Sequence, residues 1–394
     1  MVKLKISTKE PTKVSYFGFF GYVFSKIINS IDCISNLINR VETISISDRI
    51  QKDWNNFNVL KEQIELDKPI YITGLARSGT TILLEMLDKH PHLASHHYIH
   101  LVMPYLPYWF NLMLNRLHIS TESFERFHQD RIIIDQNSPE AVEEMLWQKF
   151  FSNLHDEESS NILPANLNCP KFETFYRNHI QKLLIGQKST RYLAKNNYNL
   201  TRLEYLLNLF PKARFLVMIR DPISQIASLI KQHNLFMKME RKNPYIIDWL
   251  NLLGHHEFGV GLKYINTGNT SRIKEIKDLM HKKGTHIKAW AYYWDSLYNY
   301  LANLLERNQK VKDATLVIRY TDLCENSDKA IDDILEHTKL PLKGFIHTKK
   351  NYCACLEKPD YYSFEFSEEE RAQIIEITAD TANRFGITFK NNHS

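Results

Sequence analysis

Ile70-Tyr-Ile-Thr-Gly74-Leu-Ala-Arg77-Ser78-Gly79-Thr80-Thr81 is the stretch that decides the fold. The short apolar run reads as a buried strand and the two glycines, five residues apart, as a tight loop. The apolar period after them predicts a helix over Thr80–Lys89 that stops before His90-Pro91. Strand, glycine loop and helix form a cradle for an anion. Backbone N–H groups of the loop converge on a phosphate, and the helix N-terminus adds its partial positive charge. Glycine at 74 and 79 permits the backbone shape and the close approach. The spacing is that of the nucleotide loop G-x-x-x-x-G-K-[ST], except that Thr80 stands where the lysine belongs and the cation is Arg77, inside the loop.

Outward from the loop, short apolar runs alternate with helical periods. The runs are Tyr192–Ala194, Arg214–Ile219 and Thr315–Tyr320. Predicted helices cover Asn199–Phe210, Pro222–His233 with proline in its first turn, and Ile287–Arg307, whose aromatic and leucine stripe reads as core. Ser138 is placed to cap a further helix running through Trp147. This alternation predicts an α/β fold with a parallel sheet flanked by helices. Residues 1–65 read as a helical N-terminal extension and 66–394 as one main domain. In the extension, Phe20, Val23, Ile27, Ile31, Ile34, Ile38 and Val41 recur at helical spacing, and the helix either packs on the main domain or lies on a membrane surface.

A second constellation lies around Lys195. It precedes Asn199-Leu-Thr-Arg-Leu-Glu-Tyr-Leu-Leu-Asn-Leu-Phe210-Pro, then Ala213-Arg-Phe-Leu-Val-Met-Ile-Arg220-Asp221-Pro222 and Ser228. An arginine leaving the carboxyl end of a buried strand sits where open α/β sheets bind ligands. Ser228, eight residues on, lies about two turns up the next helix and can converge with Arg220 on a monoester phosphate.

Gly74–Thr81 resembles the 5′-phosphosulfate loop of sulfotransferases that use 3′-phosphoadenosine 5′-phosphosulfate (PAPS). The Lys195–Ser228 stretch is similar to their 3′-phosphate segment, with closest likeness to bacterial and tyrosylprotein sulfotransferases. The resemblance covers residues 70–100 and 191–233 well. It implies a P-loop nucleotide fold and sulfonate transfer to a hydroxyl or amine, with PAPS as co-substrate and no metal. By the same likeness Gly74, Arg77, Ser78, Gly79, Thr80 and Thr81 take the 5′ end and Arg220 and Ser228 the 3′-phosphate. Arg77 then bears on the leaving phosphate, and Lys195 stabilises that phosphate or the sulfonyl in flight. Two departures stand out. The Arg-Lys-Gly cofactor clamp of the cytosolic enzymes is missing, with Lys349 or Lys350 as conceivable substitutes. The acidic base expected after the first helix is replaced by Ser95-His96-His97-Tyr98-Ile99-His100. Histidine takes a proton near neutral pH, which ranks His97 first as catalytic base, then His96 and His100, with Glu143 and Glu144 as outsiders. His255-His256 is a second histidine pair, on the acceptor side at most.

The remaining features bound the function. The 394 residues are 43% hydrophobic and 24% charged, enough for a sizeable core and against wholesale disorder. A formal charge of +5 suits an anionic small ligand, and no dense basic patch argues for nucleic acid. Five scattered cysteines, Cys33, Cys169, Cys324, Cys353 and Cys355, read as structural thiols in a reducing compartment, hence the cytoplasm. The sequons at Asn199 and Asn269 then carry no meaning. Acceptor classes left open are small molecules, lipids, glycans and peptides, with Leu101–Phe110 as core or as an apolar acceptor groove. Two other functions compete. One is phosphoryl transfer, with Asp221 on magnesium, against which Thr80 counts. The other is a non-catalytic membrane-surface protein with a relic nucleotide fold.

Overall fold

The computed structural model describes residues 37, 39–46, 64–116, 124–125, 133–356 and 366–389. The stripe from Phe20 to Ile38 and Cys33 lie outside them.

Five strands form one parallel sheet: β1 (Ile70–Thr73), β2 (Leu93–Ala94), β3 (Arg191–Lys195), β4 (Arg214–Ile219) and β5 (Thr315–Arg319), in the order β2-β3-β1-β4-β5. In register, Ile72 of β1 faces Lys195 on one side and Leu216 on the other. Side chains alternate between the sheet's faces, and both faces are buried. Tyr71, Tyr192, Phe215, Val217 and Ile219 join one apolar cluster, and Ile70, Ile72, Leu193, Leu216 and Met218 the other. That two-sided burial is why these strands read as unbroken apolar runs.

The helices that matter for the site are α1 (Thr80–Asp88), α2 (Pro107–Arg116), α3 (Glu143–Gln148), α4 (Pro170–Gln187), α5 (Leu203–Leu209), α6 (Pro222–Lys242), α7 (Tyr245–Leu253), α8 (Thr270–His281), α9 (His286–Arg307) and α10 (Tyr320–Glu325). From β1 the chain crosses to β2 on one side, returns to insert β3, and then passes to β4 on the other side. The loops after β1 and β4 therefore open at the point where strand order reverses, where such sheets bind ligands.

The predicted helix capped by Ser138 is shorter than expected. Ser138 instead closes a turn with Asp135, its Oγ accepting from the Asp135 N–H at 3.0 Å, and Pro139 bridges to His97, so the helix starts only at Glu143. The segment Asn199–Phe210 splits into a tight turn over Asn197–Thr201 and α5. Leu101, Tyr105, Leu106 and Tyr108 are buried, so that apolar segment packs largely as core.

The helical residues 39–46 pack against α2 and α4 through charge. The Glu42 carboxylate accepts from the N–H groups of Tyr108 and Trp109 at 3.0 and 2.8 Å and pairs with Lys182 of α4 at 3.2 Å. Val41, part of the predicted apolar stripe, points outward and is 44% exposed. Among the described residues no helix is long and apolar enough to cross a membrane.

Candidate active site

The loop between β1 and α1 has the backbone its glycines foretell. Gly74 has φ +147°, and a Cβ there would lie 2.4 Å from the Met218 carbonyl oxygen of β4. Gly79 has φ +103°, and its Cβ would lie 2.5 Å from the Tyr320 ring. Arg77 adopts a left-handed φ of 68° without being glycine; strain of this kind persists only where the surroundings hold it. They do so here. Gln225 of α6 donates to the carbonyl oxygens of Leu75 and Ala76 at 3.2 and 3.0 Å, and is itself held by the Trp294 indole N–H at 2.9 Å. The Tyr298 hydroxyl accepts from the Leu75 N–H at 3.3 Å and donates to the Met218 carbonyl at 3.0 Å. Gln225, Trp294 and Tyr298 are residues that sequence reasoning missed or read as core alone. α1 begins at Gly79 with no side-chain cap and no acidic residue in its first turn, the arrangement that leaves an N-terminus open to an anion.

The second constellation meets the first. Arg77 Nε donates to Ser228 Oγ at 3.0 Å. Arg220, one residue past β4, lies with its guanidinium 5.2 Å from the centre of the Tyr320 ring, the ring that covers Gly79. Asp221 is occupied as the cap of α6, accepting from the Ser224 N–H at 3.2 Å. Lys195 ends β3 at the same carboxyl edge. The structure thus brings Gly74, Arg77, Gly79, Ser228, Arg220 and Tyr320 into one continuous set, and Thr80 and Thr81 open the helix beside it.

The histidines are less obliging. His96 and His100 are buried, at 2% and 0% exposure. His96 Nε2 lies 3.0 Å from His179 Nε2 of α4, and His100 takes the His97 N–H on Nδ1 and faces Asn111 through Nε2 at 3.3 Å. Burial first, then the neighbouring rings, holds His96 and His100 well below the usual imidazole range. Both rings sit in the core and turn toward α2 and α4. His97 keeps a partly exposed ring, with Nε2 3.4 Å from Asp88 Oδ1 at the end of α1.

The outsiders Glu143 and Glu144 are both buried, in opposite settings. Glu143 accepts from the Tyr176 hydroxyl and, at 2.8 Å, from the Tyr192 hydroxyl; burial pushes it up to about 7. Glu144 is also desolvated, but Arg202 and His155 outweigh that and hold it well below the usual carboxylate range. His256 donates or accepts with Gln148 at 3.2 Å and is pushed down to about 3 by burial, while His255 pairs with Glu257 at 3.0 Å. Lys349 is committed to Asp332 and Asp328 at 2.6 and 3.0 Å, which argues against its serving as a cofactor clamp. Among the described residues no cluster of three or more His, Cys, Asp or Glu side chains could hold a metal. Asn199 is buried, and Asn269 caps α8.

Known proteins resemble the chain. The omega-hydroxy-beta-dihydromenaquinone-9 sulfotransferases Stf3 of Mycobacterium bovis and Mycobacterium tuberculosis are each 27% identical to it over 213 residues, covering 48% of it. The chain spans about half the length of these curated relatives, 51%. Among solved structures, sulfotransferase STF9 from Mycobacterium avium superposes with a TM-score of 0.49 at 14% identity, covering 88% of this chain and 83% of that one. A family model described as "Sulfotransferase family" matches residues 69–250. That segment carries the glycine loop, Lys195, Arg220 and Ser228 together, and it is the part of the chain that is similar to the sulfotransferase family.

Proposed function

We propose that the chain transfers a sulfonate group from PAPS to a hydroxyl or amine of a small-molecule acceptor. The acceptor's oxygen or nitrogen forms the new bond to sulfur as the bond from sulfur to the 5′-phosphate oxygen breaks. The acceptor's proton passes to a base, and adenosine 3′,5′-bisphosphate leaves. The observation that carries this reading is the 3.0 Å contact between Arg77 of the loop and Ser228 of α6, because it joins two sets of phosphate donors that lie far apart in sequence. In this reading the loop from Gly74 to Thr81, including Ser78, holds the 5′-phosphosulfate. Lys195 and Arg77 bear on the leaving phosphate as charge builds there. Arg220 and Ser228 hold the 3′-phosphate. His97, backed by Asp88, takes the proton.

Thermal denaturation tests it. Adenosine 3′,5′-bisphosphate should raise Tm without magnesium, and EDTA should leave sulfonate transfer unchanged. Stabilisation by Mg-ATP alone would point to phosphoryl transfer instead. The acceptor is to be found by screening lipids, glycans, phenols and peptides, beginning with an omega-hydroxylated dihydromenaquinone of the kind the curated relatives are named for. A lipid acceptor fits a cytoplasmic, membrane-peripheral enzyme. Leu37, Val41 and Ile44, exposed near the N-terminus at 59%, 44% and 54%, support that setting.

A further inference from the structure

Lys195 sits at the end of a strand, and its neighbour Asn196 is unusually well anchored. The Asn196 N–H donates to the Ile72 carbonyl at 3.0 Å, extending the pairing of β3 with β1 by one residue. Its side-chain oxygen accepts from the Tyr198 N–H at 3.0 Å, and its side-chain amide donates to Glu144 Oε2 at 2.7 Å. Glu144 is saturated from every other side. Arg202 donates both terminal nitrogens to its two oxygens at 2.8 Å, and His155 Nε2 lies 2.7 Å from Oε1. The Arg202 guanidinium lies over Trp147, 4.7 Å from the ring centre. Glu144 and Arg202 are 5% and 1% exposed.

A buried ion pair is a poor way to gain stability, since apolar residues of like volume often do as well or better. What it does supply is direction. A carboxylate with fixed partners holds a third donor in one place. Here that third donor is Asn196, the residue after Lys195.

We propose that Glu144 is a positioning residue for Lys195. Clamped by Arg202, it pins the Asn196 side chain and so fixes where β3 ends and where the Lys195 side chain departs from the sheet edge. This rests on the reading of Lys195 as a ligand of the donor's 5′-phosphate. It assigns to Glu144 a part in donor binding through another residue, not in proton transfer.

Calorimetric titration with adenosine 3′,5′-bisphosphate tests it without knowledge of the acceptor. Four proteins are compared: wild type, Lys195→Ala, Asn196→Ala and the double variant, with Glu144→Gln as a fifth. Asn196→Ala leaves the Glu144–Arg202 pair in place, and each variant is titrated only after thermal denaturation shows it folded. Lys195→Ala should weaken binding on the order of tenfold, about 1.4 kcal/mol. Asn196→Ala should lose several-fold alone and nothing further when Lys195 is already alanine, the signature of coupled residues. Glu144→Gln should behave as Asn196→Ala does. Equal losses from Asn196→Ala in both backgrounds, or no loss in either, would overturn the positioning role and leave the sulfotransferase reading standing. If Lys195→Ala binds as wild type does, Lys195 is no ligand and the proposal falls, with Arg77 and Arg220 unaffected. If wild type itself does not bind the nucleotide, the site reading fails and takes this inference with it.

Discussion

The loop Gly74–Thr81 precedes α1 in the chain and the histidine segment Ser95–His100 follows it, and the two commit their polar groups differently. In the loop, the carbonyl oxygens of Leu75 and Ala76 are drawn off by Gln225, and Arg77 is held in a left-handed conformation against Ser228. In the histidine segment, His96 and His100 turn inward and engage His179 and Asn111. One region keeps its charge at the sheet edge, and the other uses neutral rings as core. The contrast separates what a motif can encode from what it cannot. A phosphate loop is made by backbone shape, which glycine spacing dictates locally. A general base is made by the direction of a ring, which a partner distant in the chain decides.

The sharpest way to break this contrast is at Arg77. Arg77→Ala should lower kcat by roughly 10²–10³-fold, the range for losing one donor to charge developing in a transition state. Tm should stay near wild type, because the side chain is only half-buried. A variant with near-normal turnover would remove Arg77 from the site and leave the loop as a structural turn.

The histidine side of the comparison is tested by two substitutions that should fail in different ways. His97→Ala should cost about 10²-fold in kcat, the low end for a general base, with stability kept. His96→Ala should lower stability by about 1–3 kcal/mol, as expected when a buried polar partner is left unmatched, with kcat of the folded fraction little changed. Equal kcat losses in both, measured on protein shown to be folded, would dissolve the distinction between rim and core histidines.

How far the sequence carried depends on the same distinction. β1 and β4 were legible to the residue, because parallel strands buried on both faces leave unbroken apolar runs. α1 and α9 were legible within a residue or so at their ends. The start of α3 was not, because Ser138 found a nearer partner in Asp135 than the helix it was placed to cap. Arg77 and Ser228 could be read as two half-sites, but their direct contact is a fact of tertiary structure. Gln225, Tyr298 and Tyr320 carried no motif. Each acts through a side-chain end that reaches the loop from another element, and spacing along the chain does not record that.

The second half-site should respond less strongly than the first. Arg220 is partly exposed and rests over Tyr320, so solvent moderates its charge. Arg220→Ala should weaken binding of adenosine 3′,5′-bisphosphate by about 2 kcal/mol, the lower end for stranding one member of a charge pair. Affinity for adenosine 5′-phosphosulfate, which lacks the 3′-phosphate, should change far less. Equal losses for both ligands would make Arg220 a structural residue.

The smallest effect, and the one that refines the comparison most, concerns the neighbours Glu143 and Glu144. They share a helix turn and are both buried, yet burial prevails in one and charge pairing in the other. Glu143 is pushed up to about 7 from an ordinary 4.5, first by desolvation, against hydrogen bonds from Tyr176 and Tyr192. Between pH 4.5 and 7 the folded state therefore holds a proton there that the unfolded chain has released. Stability tied to Glu143 is full at the acid end of that window and is lost as pH rises through about 7. The slope is at most about 1.4 kcal/mol per pH unit. Glu144 has the opposite sign. Its pairing with Arg202 is present at neutral pH and is lost only as pH falls below the usual carboxylate range. Glu143→Gln mimics the protonated acid, so urea denaturation at pH 5, 6, 7 and 8 should show the variant gaining on wild type as pH rises. Glu144→Gln should lose to wild type at all four. If the difference between wild type and Glu143→Gln does not change with pH, Glu143 is ionised in the fold, and the tyrosines, not burial, govern it.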